Sequence, residues 1–575
     1  MFKTIKTQLS LIMFLLTTQA SAVITVGAGG IGVCDHNNLF DAFDDAITNN
    51  DHFIRVTSEL IMHDTFIIND FIQITGGYDN CADANNNIAG TNLSQWDGDN
   101  SDTVVNINVA GVLPLVLIEN FRIFDGNDTG FEGAGGIKVS NGSLTLINST
   151  VESNAGSEGG GIQVTGNSSS LTLQDTIITN NSATILGGGI SCNNMAEMNM
   201  SGDSVITLNT TNGNGGGIFG SNSCQININN GTPNLHPIFG LNGNIAEFGG
   251  GVYLSQGADM TITGDNSNPA EIVNNISTSA NAQFEGGGGA FLTDNGTTLT
   301  ATNAHISRNT AVNFGAGMVV KNSALVTMKR LNTPCWDNDK CSSLSGNRIT
   351  SNTGNSAAGF FGFGGTGNIN QTFISNNQAN SRAIFRIDDF ASVNMEGNVI
   401  VDNVGLSGVT TQSLFEVTGN SGSTLDFFYN TIASNNAFVM FVLNGISSSQ
   451  SIRIINSIIW DQGDIIATLG GNTATGVFNC NFVHETTTLF GSMVDNFVSN
   501  PTFVDSANGD FHLSDNSFAI DLCNENTIQS QFKDLNGKDR GNDYPAIVDL
   551  RGTFDAGAYE YQFAELDIIF KNGFE

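Results

Sequence analysis

Positive charge is scarce in this chain. Nineteen Lys and Arg stand against 54 Asp and Glu among 575 residues, a formal net charge of −35. Nucleic-acid binding needs Lys and Arg to neutralise phosphates, so nucleic acid is excluded as a partner. An anionic membrane surface is repelled for the same reason. The acidic residues are spread along the chain rather than gathered in a tail. They bring solubility, and they offer ligands for divalent cations. Long apolar runs are also missing beyond the first residues. The most apolar later stretch is Val104 to Phe124, and Asn106, Asn108, Pro114 and Glu119 interrupt it. It reads as strands, not as the ~20 apolar residues that span a bilayer. The seven His show no metal-ligand spacing.

What is present begins with an export signal. Lys3 and Lys6 precede an apolar run, Leu9 to Leu16, and Ala20-Ser21-Ala22 follows. These are the three parts of a cleaved secretory signal peptide, residues 1–22. The expected location is extracellular or at the cell surface, with no transmembrane segment in the mature chain. The whole chain is 39% hydrophobic, carries 68 Gly and has only 13% charged residues. Short apolar runs separated by Asn, Ser, Thr and Gly are a strand-and-turn pattern. Eight Cys in an exported chain can pair. Proximity in sequence favours Cys335 with Cys341. Cys34 with Cys81, Cys192 with Cys224, and Cys480 with Cys523 are further candidates, and a mixture of bridges and free thiols is the alternative.

Internal repetition sets the fold. Glycine clusters followed by an apolar residue recur at Gly135-Gly136-Ile137, Gly159-Gly160-Gly161-Ile162, Gly187-Gly188-Gly189-Ile190, Gly215-Gly216-Gly217-Ile218 and Gly249-Gly250-Gly251-Val252. Gly287-Gly288-Gly289-Ala290 and the degenerate Gly315-Ala316-Gly317-Met318 follow, with steps of 25, 28, 28, 34, 38 and 28 residues. A second motif runs in phase. Leu144-Thr145-Leu146 leads to Val151 and Asn154, Leu171-Thr172-Leu173 to Ile178 and Asn181, and Leu299-Thr300-Ala301 to Ile306 and Asn309. Further copies are read as ending at Asn209, Asn242, Asn352 and Asn377.

Apolar-polar alternation over three to five residues is a strand with one buried face. Each copy is too short for a strand and a crossover helix, but three short strands and three turns fit one coil. Leucine-rich repeats would need a helical segment, and propeller blades about 40 residues and four antiparallel strands. The expected fold is therefore all-β: a right-handed parallel β-helix, the hand following from the rule for parallel crossovers. Asn154, Asn181, Asn209 and Asn309 should occupy equivalent turns, where Asn tolerates left-handed geometry. Phe360, Phe361, Phe363, Phe373, Phe385, Phe415, Phe427, Phe428, Phe438 and Phe441 are expected to stack inside the later coils.

A solenoid needs covered ends. Asn37 to Asn50 carries Leu39, Phe40, Phe43, Ala46 and Ile47 at helical spacing, a short capping helix. Ile72 to Cys81 reads as early coils ending in a Gly-Gly-Tyr turn. The organisation expected is an N-terminal cap with the first coils over 23–120, repeats over 121–480, a C-terminal capping region over 481–562 and a tail over 563–575.

The copy Ile178-Thr179-Asn180-Asn181-Ser182-Ala183 followed by Gly-Gly-Gly-Ile resembles the repeats of polymorphic outer-membrane and related right-handed β-helix proteins. The C-terminal part is similar to the choice-of-anchor Q domain of bacterial surface and secreted proteins. The blocks that carry this are Asn500-Pro501-Thr502-Phe503, Gly509-Asp510-Phe511-His512-Leu513, Ala519-Ile520-Asp521, Asp534-Leu535-Asn536-Gly537-Lys538-Asp539-Arg540 and Asp555-Ala556-Gly557-Ala558-Tyr559-Glu560. The family's Ser-Pro-Ala-Ile-Asp-x-Gly is altered here, with Phe518 for Pro and Cys523 for Gly. The ending Ile568-Ile569-Phe570-Lys571-Asn572-Gly573-Phe574-Glu575 looks like the Ile-Phe-x-x-Gly-Phe-Glu tail of exported proteobacterial proteins, a sorting tag or a last strand. The resemblance implies surface or extracellular location and no single activity.

Chemistry is sparse. β-Helices include pectate lyases and polygalacturonases, but the Asn-Thr-Asp and Gly-His-Gly blocks of the latter are absent. Asp388-Asp389 reads as a loop pair. Arg308, Lys321, Lys329, Arg330 and Arg348 either line one groove or are scattered solvated positions, the second reading being preferred. Asp97-x-Asp99-x-Ser101-Asp102 alternates oxygen ligands suited to calcium. It lacks the EF-hand Glu, so a calcium site stands beside a plain polar loop, and no other cofactor is expected. The insertion Pro334 to Ser345 holds Trp336, Asp337 and Asp339 between Cys335 and Cys341, a candidate binding loop. The function expected is adhesion or binding of a glycan, surface or protein by a monomer without catalysis. The alternative is a polysaccharide lyase or glycoside hydrolase acting on an acidic polysaccharide.

Overall fold

The computed structural model describes residues 23–28, 34–63, 65–109, 115–230, 243–265, 269–280, 286–330, 346–405, 412–418, 422–444, 451–469, 475–485, 492–524, 533–544 and 551–562. Residues 1–22, expected from the sequence to be a signal peptide, the tail 563–575 and the loop bearing Cys335, Trp336, Asp337, Asp339 and Cys341 lie outside the described residues.

The chain is an all-β parallel β-helix. One coil shows its plan. Ile162–Thr165 forms the first face, Ser169–Gln174 the second, Ile177–Thr179 the third and Ser182–Leu186 a short fourth. Each strand pairs in parallel with its counterpart one coil later: Ile190–Asn193, Glu197–Ser201, Val205–Thr207 and Thr210–Thr211. Three strands per coil were expected, and four are found. The fourth is two to five residues long, too short for alternation to reveal it. The first and second faces merge into one 30-stranded sheet because Ile137–Ile147 runs unbroken round their corner. The third face is a 6-stranded and then a 9-stranded sheet, and the fourth is 10-stranded.

Pairing in register makes ladders of identical positions. Leu144, Leu171, Met198, Ile226, Met260, Leu299 and Val326 stack along the second face. These belong to one continuous core running from Ile24 to Val483. Each buried Leu or Ile side chain contributes ~1.5–3 kcal/mol, so the coils are held mainly by this apolar interior.

The ends differ. At the N-terminus the helix Leu39–Asn49 starts on Asn38, whose side chain accepts from the Asp41 amide, and stops on the left-handed Asn50. It buries Leu39, Ala42, Phe43 and Ala46. A bridge from Cys34 to Cys81 closes over the first coils. The Gly-Gly-Tyr segment is not a turn: Ile72–Tyr78 is a single strand. At the other end the last coils reach Ser492–Val494 and Phe497–Val498. The following region carries an antiparallel pair, Phe503–Asp505 with Asp510–Leu513. It folds back along the third face, where Phe511, Leu535 and Ala558 pack on Val399, Val401 and Ala433. Among the described residues no helix is long and apolar enough to cross a membrane.

The phenylalanines divide. Phe360, Phe385, Phe415, Phe427 and Phe441 lie in the interior. Phe361 and Phe363 point outward into a separate aromatic cluster, Phe373 and Phe428 pack in the clusters toward the C-terminal region, and Phe438 is exposed. Adjacent strand residues face opposite ways, so Phe360 and Phe361 cannot share a side.

Candidate functional site

The corner between the third and fourth faces carries a polar column. Asn154, Asn181, Asn209, Asn244, Asn275, Asn309, Asn352, Asn377, Asn403 and Asn435 stack one per coil, each donating its side-chain amide to the next. Asn181 shows the full pattern. Its backbone N–H and its Nδ2 both donate to Asn209 Oδ1 at 3.0 Å, and Nδ2 also donates to the Val151 carbonyl. Its own Oδ1 accepts from Asn154 N and Nδ2. Every polar atom is satisfied, which is what full burial demands.

Two expectations about this corner change. The ladder residue after Asn209 is Asn244; Asn242 lies outside the described residues. The left-handed position is also not the ladder Asn but the residue before it: Ser153, Asn180, Leu208, Asn274, Arg308, Ser351, Asn376, Asp402 and Ser434 have φ of 55–58°. The ladder Asn needs its side chain turned inward, so the preceding residue makes the bend. The glycine corner follows from the same packing. A Cβ on Gly189 would stand 2.7 Å from the Gly217 carbonyl and 3.0 Å from Asn209 Nδ2.

The column ends on Asp461. Its Oδ2 accepts from Asn435 N and Nδ2 at 2.8 Å, and its Oδ1 from the Gln462 amide. Burial pushes its carboxyl up, against the pull of those donors.

Beside this terminus lies a cleft. One part, of about 430 Å³, is walled by Ser434 and Trp460 from the third face and by Asn500, Thr502, Ser506 and Asn516 from the C-terminal region. A second hollow, of about 650 Å³, shares Ser434 with the first and is lined by Asn436, Phe438, Asp461, Gln462 and Asp464. Phe438 is 54% exposed. The Trp460 ring meets the edge of His484 at 6.5 Å between centroids. The lining is therefore mostly amides and hydroxyls, with the Trp460, Phe503 and Phe438 rings and the Asp461 and Asp464 carboxylates among them. Asp461 has both oxygens engaged, so it acts as an acceptor within the fold.

The C-terminal wall is held by an unusual set of charges. Asp521, Asp534, Asp555 and Glu560 are all at most 2% exposed. Arg540 is buried among them, 3.8 Å from Glu560, with its guanidinium 4.5 Å from the centre of the Tyr429 ring. Gly541, Asn542 and Asp555 amides donate to Glu560, and Lys538 and Glu560 amides to Asp534. Burial pushes Glu560 up to about 7, against Arg540. Burial and the neighbouring Glu560 hold Asp555 well above the usual carboxylate range. The β-helix grips this region through Arg330 donating to the Leu535 carbonyl, Gln371 to the Asp534 carbonyl, and Thr431 accepting from the Ala558 amide. Cys480 and Cys523 are bridged at one end, and Cys192 and Cys224 are bridged inside the coils.

The remaining candidates are dispersed. Asp97 and Asp99 come together with His63, their ligand atoms within 4.8 Å of one another; Asp102 stands outside this group. Asp102 Oδ1 instead accepts from the Thr103 amide. Arg308 bonds Asn274, Lys321 lies over Phe291 and Phe363, Arg348 over Phe373, and Arg330 is buried under the C-terminal region. Lys329 is exposed at the end of a second-face strand. They share no groove. Asp388 is not in a loop: it ends the strand Phe385–Asp388 and pairs with Arg386 at 2.8 Å, and the turn begins at Asp389. Trp460, Phe438 and the carboxylate cluster were not foreseen as a site, because their partners come from segments far apart in sequence.

No protein-family model matches the chain, and neither a curated protein nor a solved structure matches it.

Proposed function

We propose that this chain is exported and acts outside the cell or at its surface as a non-catalytic binder of neutral glycans. The observation that carries the reading is the cleft beside Asp461. Its two hollows set aromatic rings, Trp460 and Phe503 in one and Phe438 in the other, beside amides and hydroxyls, with Asp464 at the rim of the second. Sugars present an apolar ring face and a rim of hydroxyls, and such a lining answers both. A net charge of −35 favours a neutral ligand over an acidic polymer. The export signal and the resemblance of 481–562 to choice-of-anchor Q domains support the location and a surface role.

The test is titration calorimetry with a panel of neutral oligosaccharides. Trp460→Ala and Phe438→Ala should each weaken association about tenfold or more, which is ~1.4 kcal/mol. Wild-type affinity in both variants would remove the cleft from the reading. Steady release of reducing ends during the titration would replace it with the hydrolase.

A further inference from the structure

We propose that the C-terminal region is a proton-operated strap, closed on the third face when its buried carboxylates hold protons and loosened when they release them. The argument starts from charge balance in a dry place. Four carboxylates, Asp521, Asp534, Asp555 and Glu560, are shut away with two buried guanidiniums in reach, Arg540 at 3.8 Å from Glu560 and Arg330 facing Asp534. Two buried like charges oppose each other strongly when little water lies between them. Full ionisation would leave this set with excess negative charge at the interface with the coils.

The surroundings do not remove the excess. From the β-helix, Arg330 faces Asp534 while donating to the Leu535 carbonyl, and it offsets only one of the four charges. Arg348 lies toward Tyr559, and Glu396 adds a negative charge near Tyr429. From the hairpin, His512 sits 2.6 Å from Asp510 and stacks on Tyr559 at 4.0 Å. Backbone amides favour the ionised carboxylates, but burial outweighs them, and Asp534, Asp555 and Glu560 are all raised. A carboxyl raised in the folded state stabilises fully below its unfolded value. That contribution is lost as pH rises through the folded value, about 7 for Glu560. The strap is thus tight in acid and loosens above neutrality.

The loosening is local. Cys480 and Cys523 keep one end attached. The far end is held by hydrogen bonds with Arg330, Gln371, Thr431 and Asn456 and by the small apolar contact of Leu535 and Ala558 with Val399, Val401 and Ala433. The inference itself needs no ligand.

Hydrogen exchange on the full chain tests it. After correction for the intrinsic base-catalysed rate, protection of the Leu535, Gly541 and Ala558 amides should fall about tenfold or more from pH 5.5 to 8.5. The Asn309 and Asn352 amides should hold constant over the same range. In Glu560→Gln the fall should shrink below about threefold, and Asp555→Asn, which removes the facing charge, provides a second variant if the first folds poorly. Unchanged wild-type protection across the range would overturn the proposal. So would an undiminished fall in both variants.

Discussion

Asn309, in the ladder corner, and Glu560, in the C-terminal region, are both almost completely removed from water. Asn309 is neutral, and it hands on the same two bonds it receives. Glu560 is a carboxyl among carboxyls, satisfied by backbone amides and one nearby arginine. The comparison teaches that repetition solves burial cheaply. A neutral amide stacked on itself meets every donor and acceptor, whatever the pH. A non-repeating region must gather unlike partners from distant segments, and its balance depends on protons.

The sharpest way to break the comparison is to interrupt the column. Asn309→Ala strands the Asn275 amide groups and the Ile272 carbonyl that Asn309 serves. Each orphaned buried group costs ~1–3 kcal/mol, so a loss of about 3–5 kcal/mol is expected, read as a lower urea midpoint. A loss below about 1 kcal/mol would mean that the column is incidental. Next comes the glycine corner. Gly189→Ala must push against the Gly217 carbonyl and the Asn209 amide, and overpacking of this kind costs ~1–3 kcal/mol. Gly296→Ala, where the nearest atom is 3.7 Å away, should cost only the strain of its positive φ. Equal melting temperatures for the two variants would refute the packing explanation. The smallest effect refines the corner itself. Leu208 holds φ 56° without the local side-chain bonding that eases Asn into that region. Leu208→Asn should raise stability by about 0.5–1 kcal/mol by thermal unfolding; a fall would put the bend elsewhere.

Much of the coil was legible because its signals repeat. Gly-Gly-Gly-Ile and Leu-x-Leu recur in step, so the strands on the first, second and third faces could be read directly. The ladder was legible as a set of Asn positions, but not as a bonded chain. Asn suits both a left-handed bend and an inward acceptor, and only the structure separates the two roles. The residue that makes the bend varies among Ser, Asn, Leu, Arg and Asp, so it leaves no pattern. The step from Asn209 to Asn244 is 35 residues against 27 and 28 in the coils before it, so spacing does not separate Asn244 from Asn242. The candidate cleft was illegible for a different reason. Trp460 lies on the third face, Asn500 and Asn516 lie beyond the last coils, and the dock uses main-chain carbonyls of Asp534 and Leu535. Carbonyls are common to all residues, so they mark nothing in a sequence.

The one-way sense of the asparagine column has a consequence for how such a chain can change in length. Between Asn154 and Asn435 every coil receives and passes on an identical pair of bonds, so a whole coil can be duplicated or lost and the column closes again. Asp461 accepts but has no side-chain amide to donate onward. It works as a terminator. Growth in whole-coil steps is open upstream of it, while a coil added just after it would lose the side-chain half of the pair that every earlier coil receives. The cleft and the folded-back region therefore keep their place relative to the end of the ladder, however many coils come before.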